Sequence, residues 1–351
     1  MNNFYRVTGK ERSLAIVSEP LKNSDPFFYK AVQYDISKGQ QEGYWNEIPS
    51  PAPGDWLWDY PEKPVSFKSY KKKYSRLPTP KKNTLYIQPI GEFGPDAPAL
   101  EIVRQYAEIF FQLPTQLLPN ISLREQEKSK NTQTLMQGET VLGSIVSRRK
   151  SKTQRLQLNT THILKFLLKN KPQNAHCVMA LTMVDLYPED SWNFVFGEAD
   201  LNRGIAVFSF ARYSPLFEDP YADITEESAR LMLLRGLEVM VHETGHMFGV
   251  QHCVYFNCVM NGSNSLEESD NQPIHLCPAC LRKFQHHLGF EVHTRYFQLL
   301  NFYEENHLEQ EAVWLRKRIS IIYAGLSDAE REKYFSQNPE YVPDENDAVL
   351  M

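Results

Sequence analysis

Long apolar runs are missing. No stretch of the 351 residues reaches eighteen uninterrupted hydrophobic positions, so no membrane-spanning helix is expected. The opening MNNFYRVTGKERSLAIVSEP lacks an apolar run behind a basic start, and the chain is therefore read as cytoplasmic, possibly nuclear, and not secreted. An excess of positive charge is missing too. The formal net charge is -5 and the pI about 6.1, which gives no global field to attract nucleic acid or an anionic membrane, and neither is expected as a partner. Cysteine is scarce, with five residues, of which four fall between positions 253 and 280. In an intracellular chain, C-x4-C followed by C-x2-C points to a metal site before a disulfide framework. No internal repeat is visible.

What is present is a hydrophobic content of 42%, enough over this length for a full core with additions. Residues 1–83, with PSPAPGDWLWDYPEKP and SYKKKYSRLPTPKKN, show no sustained period and are read as an irregular N-terminal arm that restricts access to whatever follows. From Thr84 the texture changes. TLYIQPIG reads as a buried strand, PALEIVRQYAEIFFQLP as a helix stopped by Pro114, and TQLLPNISL as a second strand. Residues 124–157 are polar and read as a surface insertion, whose cluster Arg148, Arg149, Lys150, Lys152 and Arg155 is either a binding patch or a solvated loop.

Beyond it, NTTHILKFLLKNKP is predicted to be a short helix capped by Asn159, and AHCVMALTMVDLYP a buried strand. WNFVFGEAD and GIAVFSFARY, separated by LNR, are predicted to pair as a hairpin. TEESARLMLLRGLEVMVHETGHMF is the longest helical pattern, with Thr225 and Ser228 placed to cap its start. The divisions are the arm at 1–83, a segment 84–252, a helical segment 253–325, and a tail 326–351.

Within VHETGHMFGVQHC, His242 and His246 lie four apart and project from one helical face, where they can share a metal ion. Glu243 cannot share that geometry but can reach a water on the metal. Zinc with three protein ligands keeps a fourth position for water and brings its pKa to roughly 7, within range of a neighbouring carboxylate. The third ligand is expected to be His252. A continuing helix would turn it away, and Gly249 can reverse the chain with a positive φ.

Cys253, Cys258, Cys277 and Cys280 supply the four thiolates of a closed, structural zinc site that pins the loop carrying His252. The alternatives are buried reduced thiols or a nucleic-acid zinc module. Against the latter, residues 253–280 carry Glu267, Glu268 and Asp270 but no Lys or Arg. Two Zn2+ ions per chain are therefore expected.

HETGHMFGVQH followed by Met260 resembles the metzincin zinc peptidases, and the added cysteines in HCVYFNCVMNGSNSLEESDNQPIHLCPACLRK narrow the resemblance to the archaemetzincin family and its eukaryotic branch. The resemblance is strongest from Thr84 to Phe290. It implies an α+β fold in which a mixed sheet carries the zinc helix and a small, mostly helical C-terminal part is stabilised by the second zinc. It further implies Glu243 as general base, Met260 in a Met-turn, peptide substrates and aminopeptidase action. The WNFVFGEAD strand would be the sheet edge along which a peptide lies. Asn261 and Gly262 follow Met260, with no nearby Tyr of the kind some metzincins use to steady the transition state. A contrasting reading is a catalytically silent two-zinc protein that binds peptides or proteins. Oligomeric state and substrate are not legible.

Overall fold

The computed structural model describes residues 5–17, 25–33, 45–74, 76–126, 129–336 and 338–343. It divides into two compact units, Leu77–Gly249, and Met1–Arg76 together with Val250–Met351. The end of the expected tail, 344–351, lies outside the described residues, as do parts of the expected arm and positions 127–128 of the expected insertion.

The arm is less irregular than its sequence suggests. Its described residues contain four short helices, α1 (Gly9–Val17), α2 (Pro26–Ala31), α3 (Trp56–Asp59) and α4 (Phe67–Lys73). Asp25 caps α2 by accepting from the Phe28 amide, with Pro26 opening the first turn, and Ser66 caps α4 by accepting from Ser69. Helices of one or two turns are too short to show a hydrophobic period, which is why the sequence hides them.

The Leu77–Gly249 unit begins with β1 (Thr84–Ile90), α5 (Leu100–Phe111), β2 (Thr115–Leu117), β3 (Ser122–Gln126), β4 (Ser129–Gln137), β5 (Thr140–Arg149), β6 (Leu156–Asn159) and α6 (Thr160–Lys169). It continues with β7 (Ala175–Thr182), β8 (Asp185–Tyr187), β9 (Gly197–Asp200), β10 (Ile205–Ser209), α7 (Pro215–Glu218) and α8 (Glu226–Met247). One sheet has the order β2-β1-β7-β10-β9, parallel except for β9, which pairs antiparallel with β10 as the edge strand. The predicted hairpin is present. Every residue of β1, β7 and β10 is buried, so both faces of the sheet are covered.

Strand alternation assigns the two faces. Tyr86, Ile90, Val178, Ala180, Ile205 and Val207 share a core with Ile163, Leu164 and Leu167 of α6, so the intervening residues point the other way. On that other face Met179 meets α8, whose Thr244 hydroxyl lies 2.8 Å from its sulfur. Helix α8 packs on β7, β9 and β10 and against α5. Asn159 caps α6 as predicted, and Thr225 and Ser228 form a reciprocal capping box at the start of α8.

The expected insertion at 124–157 is instead a second sheet, β3-β4-β5-β6-β8. Its polar texture misleads because the strands alternate: in β5 only Ile145 and Ser147 are deeply buried while their neighbours are exposed or half-exposed. The basic cluster is largely committed. Arg148 donates to the carbonyls of Asp190, Trp192 and Asn193, and Arg149 pairs with Glu125 at 3.0 Å.

The other unit adds α9 (Leu266–Asp270), α10 (Pro278–Leu288), α11 (Val292–Glu305), α12 (Glu309–Ala324) and α13 (Asp328–Phe335) to the arm's helices. Helices α1 and α4 pack on α10, and α2 on α11 and α12. Buried Arg318 of α12 donates to the carbonyls of Lys30 and Ala31 at the end of α2, while buried Arg12 of α1 donates to the Tyr255 carbonyl at 2.9 Å. The described residues up to Arg76 thus belong to the helical unit and do not stand apart from it. No helix among the described residues is long and apolar enough to cross a membrane.

Candidate metal centres

Helix α8 presents His242 and His246 one turn apart, and their Nε2 atoms lie 3.0 Å from each other. The helix ends at Met247, and Gly249 follows at φ 79°, the left-handed value that stops a helix and turns the chain. Its amide donates to the His246 carbonyl at 2.8 Å. His252 comes next, and one nitrogen from each of the three histidines lies within 4.8 Å of the others. Tetrahedral zinc with Zn–N bonds near 2.0–2.1 Å holds ligand nitrogens roughly 3.3 Å apart, so the three imidazoles fit that ion.

Glu243 is partly exposed and packs against β9. Gly197 lies so close that a Cβ there would fall 2.9 Å from the carboxyl carbon of Glu243. Desolvation, with a smaller contribution from the charge of Glu198, pushes the Glu243 carboxyl up to about 8. Glu198 points to the opposite face of the sheet, where it accepts from the hydroxyl of Thr160 at the start of α6. A cation held by the adjacent histidines would pull the Glu243 carboxyl back down.

The four cysteines 253, 258, 277 and 280 also converge, with one sulfur from each within 4.8 Å of the others and all four buried. Cys253 and Cys277 Sγ are 3.6 Å apart, close to the roughly 3.8 Å that tetrahedral Zn–S bonds of about 2.3 Å require. Backbone amides already point at the sulfurs, Cys277 to Cys258 at 3.3 Å and Cys280 to Cys277 at 3.5 Å, the latter capping α10. Burial opposes ionisation of Cys253, but hydrogen bonds from the other three thiols and the nearby Lys283 ammonium bring it well below the usual thiol range. Burial and then the other thiols hold Cys277 well above that range, and hydrogen bonds that Cys280 shares with Cys253 and Cys258, donated to Cys253, do the same to Cys280. Four thiolates together need a multivalent cation, and the donor set suits zinc. Among the described residues these are the two groups that could hold a metal.

Met260 is fully buried, and its carbonyl accepts from the Cys253 amide at 2.7 Å. Asn261 ties the loop behind it. Its side chain accepts from the Cys258 amide and donates to the carbonyls of Cys253 and Phe256.

Residues 131–286 match the model of Peptidase family M54. The chain is 37% identical over 280 residues to archaemetzincin-2 of Mus musculus, covering 72% of each chain. It belongs to the archaemetzincin family. That family consists of zinc metallopeptidases, and the mixed-sheet α+β fold with its zinc helix is the one expected of a member. Archaemetzincin-2 of Homo sapiens is 33% identical over 313 residues, 78% of this chain and 81% of that one. A crystal structure of archaemetzincin from Archaeoglobus fulgidus complexed with malonate is 26% identical, with a TM-score of 0.40, over 57% of this chain and 99% of that one.

Two contributors near the histidines escaped the sequence reading. Glu62 Oε1 lies 2.6 Å from His252 Nδ1, and the ring of Trp56 meets that of His252 edge to face at 4.9 Å. They are 190 and 196 positions away in sequence, and only the tryptophan-rich texture of DWLWDYPEKP hinted that this segment packs on something.

Proposed function

We propose that the chain is a zinc-dependent aminopeptidase on short peptides, with a catalytic zinc on His242, His246 and His252 and a structural zinc on Cys253, Cys258, Cys277 and Cys280. The observation that carries this reading is the convergence of three imidazoles with Glu243 beside the first of them on the same helix. Zinc in that position supplies Lewis acidity and a water acidic enough to lose a proton near neutral pH. With the ion bound, Glu243 would accept a proton at its carboxylate and return it to the departing amine. Its packing on Gly197 fixes where the carboxylate waits.

Strand β9 ends its sheet, so an extended peptide can pair with its outer backbone groups and lie past Glu243. Met260, fully buried and tied through its carbonyl to the Cys253 amide, is on this reading the Met-turn residue. The thiolate site offers four buried ligands and no position for water, which suits it to holding the loop from His252 to Cys280. None of the five cysteines is joined in a disulfide, as suits a reducing compartment, and we assign the protein to the cytoplasm or nucleus.

The test measures metal content and cleavage together, on wild type and Glu243→Ala, against a peptide library with free and blocked N-termini. Two zinc ions in both proteins with cleavage only by wild type supports the peptidase, and loss of cleavage on blocking supports the aminopeptidase. Equal behaviour of the two proteins on every peptide would make the chain a two-zinc binding protein.

A further inference from the structure

We infer that Glu62 is a positioning residue for the three-histidine zinc site, holding His252 in the tautomer and ring orientation that metal binding needs. The inference rests on the zinc site proposed above. A carboxylate oxygen can only accept, so the 2.6 Å contact is a bond from His252 Nδ1–H to Glu62 Oε1. In that tautomer the ring carries its lone pair on Nε2, the form in which an imidazole nitrogen ligates a metal. The same oxygen accepts from Trp56 Nε1 at 2.6 Å, so the carboxylate is itself aimed by an indole N–H.

The segment carrying these groups is tied to the loop that follows the Met-turn. The Trp56 amide donates to Glu268 Oε1 at 2.8 Å, and the other oxygen of Glu268 accepts from the Asn264 amide at 2.6 Å. Asn264 Nδ2 donates to the Gly54 carbonyl and to Asp59, each at 3.1 Å. The indole lies over Gly262, where a Cβ would fall 2.5 Å from Trp56 Cδ1. Position 262 thus admits only glycine beneath this ring. Glu62 and His252 are 28% and 18% exposed at the side chain, sheltered enough for their charge-assisted bond to resist competition from water.

A carboxylate on the outer nitrogen of a metal-binding histidine fixes the ring and raises its basicity, and losing such a partner typically weakens metal binding about 10–100-fold. The N-terminal segment is on this account part of the metal centre. That is the opposite of an arm whose chief action is to obstruct the site, since its removal would weaken metal binding and not merely uncover it.

The test is zinc affinity by competition with a chromophoric chelator, on full-length wild type, Glu62→Ala, Glu62→Gln, Trp56→Phe and His246→Ala. Thermal unfolding of each metal-depleted protein and the visible spectrum of each cobalt-loaded one accompany it. Expected is a zinc ion bound about 10–100-fold more weakly in Glu62→Ala. Glu62→Gln and Trp56→Phe should show smaller losses, with a changed cobalt spectrum, an unchanged second zinc and unfolding close to wild type. The near-isosteric Glu62→Gln carries the test if the alanine variant does not fold. Zinc affinity in Glu62→Gln and Glu62→Ala within twofold of wild type, or tighter, would overturn the inference while leaving the zinc site standing. Wild type and His246→Ala holding the same zinc with the same affinity would overturn the zinc site, and the inference with it.

Discussion

The carboxyl group of Glu243 rests against the backbone of Gly197, with 2.9 Å between its carboxyl carbon and the place a Cβ would occupy. No side chain fits there without moving either the helix residue or the edge strand. Gly197→Ala should therefore displace Glu243 by a fraction of an ångström to an ångström, and a displacement of that order can cost up to about 100-fold in rate. Peptide cleavage should fall about 10–100-fold while zinc content stays at the wild-type value, at a stability cost of about 1–3 kcal/mol. Full activity in a folded Gly197→Ala would mean that Glu243 is not needed where it sits.

The Gly249 turn makes a second prediction. At φ 79° an L-residue is strained, and alanine there should cost about 1–2 kcal/mol. Asparagine tolerates this region better. Zinc bound at the three-histidine site should decrease in the order glycine, asparagine, alanine, valine at position 249, because His252 follows the turn by three residues. Metal analysis and urea unfolding of the four proteins check the order. Equal zinc in all four would show that the turn does not set the third ligand.

The two converging groups, three histidines and four cysteines, could be read from sequence because each is local: histidines four apart on one helix, a turn, a third histidine, and two cysteine pairs within 28 residues. Helix α8 and its Thr225–Ser228 cap are visible for the same reason. Glu62, Trp56 and Gly197 were not visible, since each acts on a residue far along the chain and no local period marks it. The sheet at 122–159 was hidden by composition. Strands covered well on one face alone can carry Thr, Gln and Ser, as β4 and β5 do, and they then resemble a polar loop.

Buried His287 of α10 gives a pH-dependent term. Desolvation, then the nearby charges of Arg76 and His286, lowers its pKa from 6.5 to about 3, and its Nδ1 lies 3.4 Å from the Tyr70 hydroxyl of α4. Between those two values the unfolded chain binds a proton that the folded chain refuses. Stability therefore rises with pH across this window and is lost as pH falls from about 6.5 toward 3. Between about pH 7 and pH 5, wild type should lose more stability than His287→Gln, and the difference between the two unfolding curves isolates this group from the carboxylates and the metal sites. Parallel curves would show that His287 is protonated without penalty.

The last prediction concerns what holds the approach to β9. Asp185, 4% exposed at its side chain, accepts two bonds from Arg212 at 2.8 Å and a third from Gln157 at 2.7 Å. The Arg212 guanidinium also lies 3.4 Å from the centre of the Phe194 ring, three residues before Gly197. Arg212→Ala leaves a buried carboxylate unpaired and should cost about 3–5 kcal/mol in urea unfolding. Replacing both partners by apolar residues, Asp185→Leu with Arg212→Met, should cost clearly less than the two single changes added together. Because Phe194 leads directly into the strand against which Glu243 rests, the double variant should keep its zinc yet cleave peptides more slowly than wild type. If it cleaves at the wild-type rate, the pair serves stability alone, and the placement of β9 depends on its hairpin with β10.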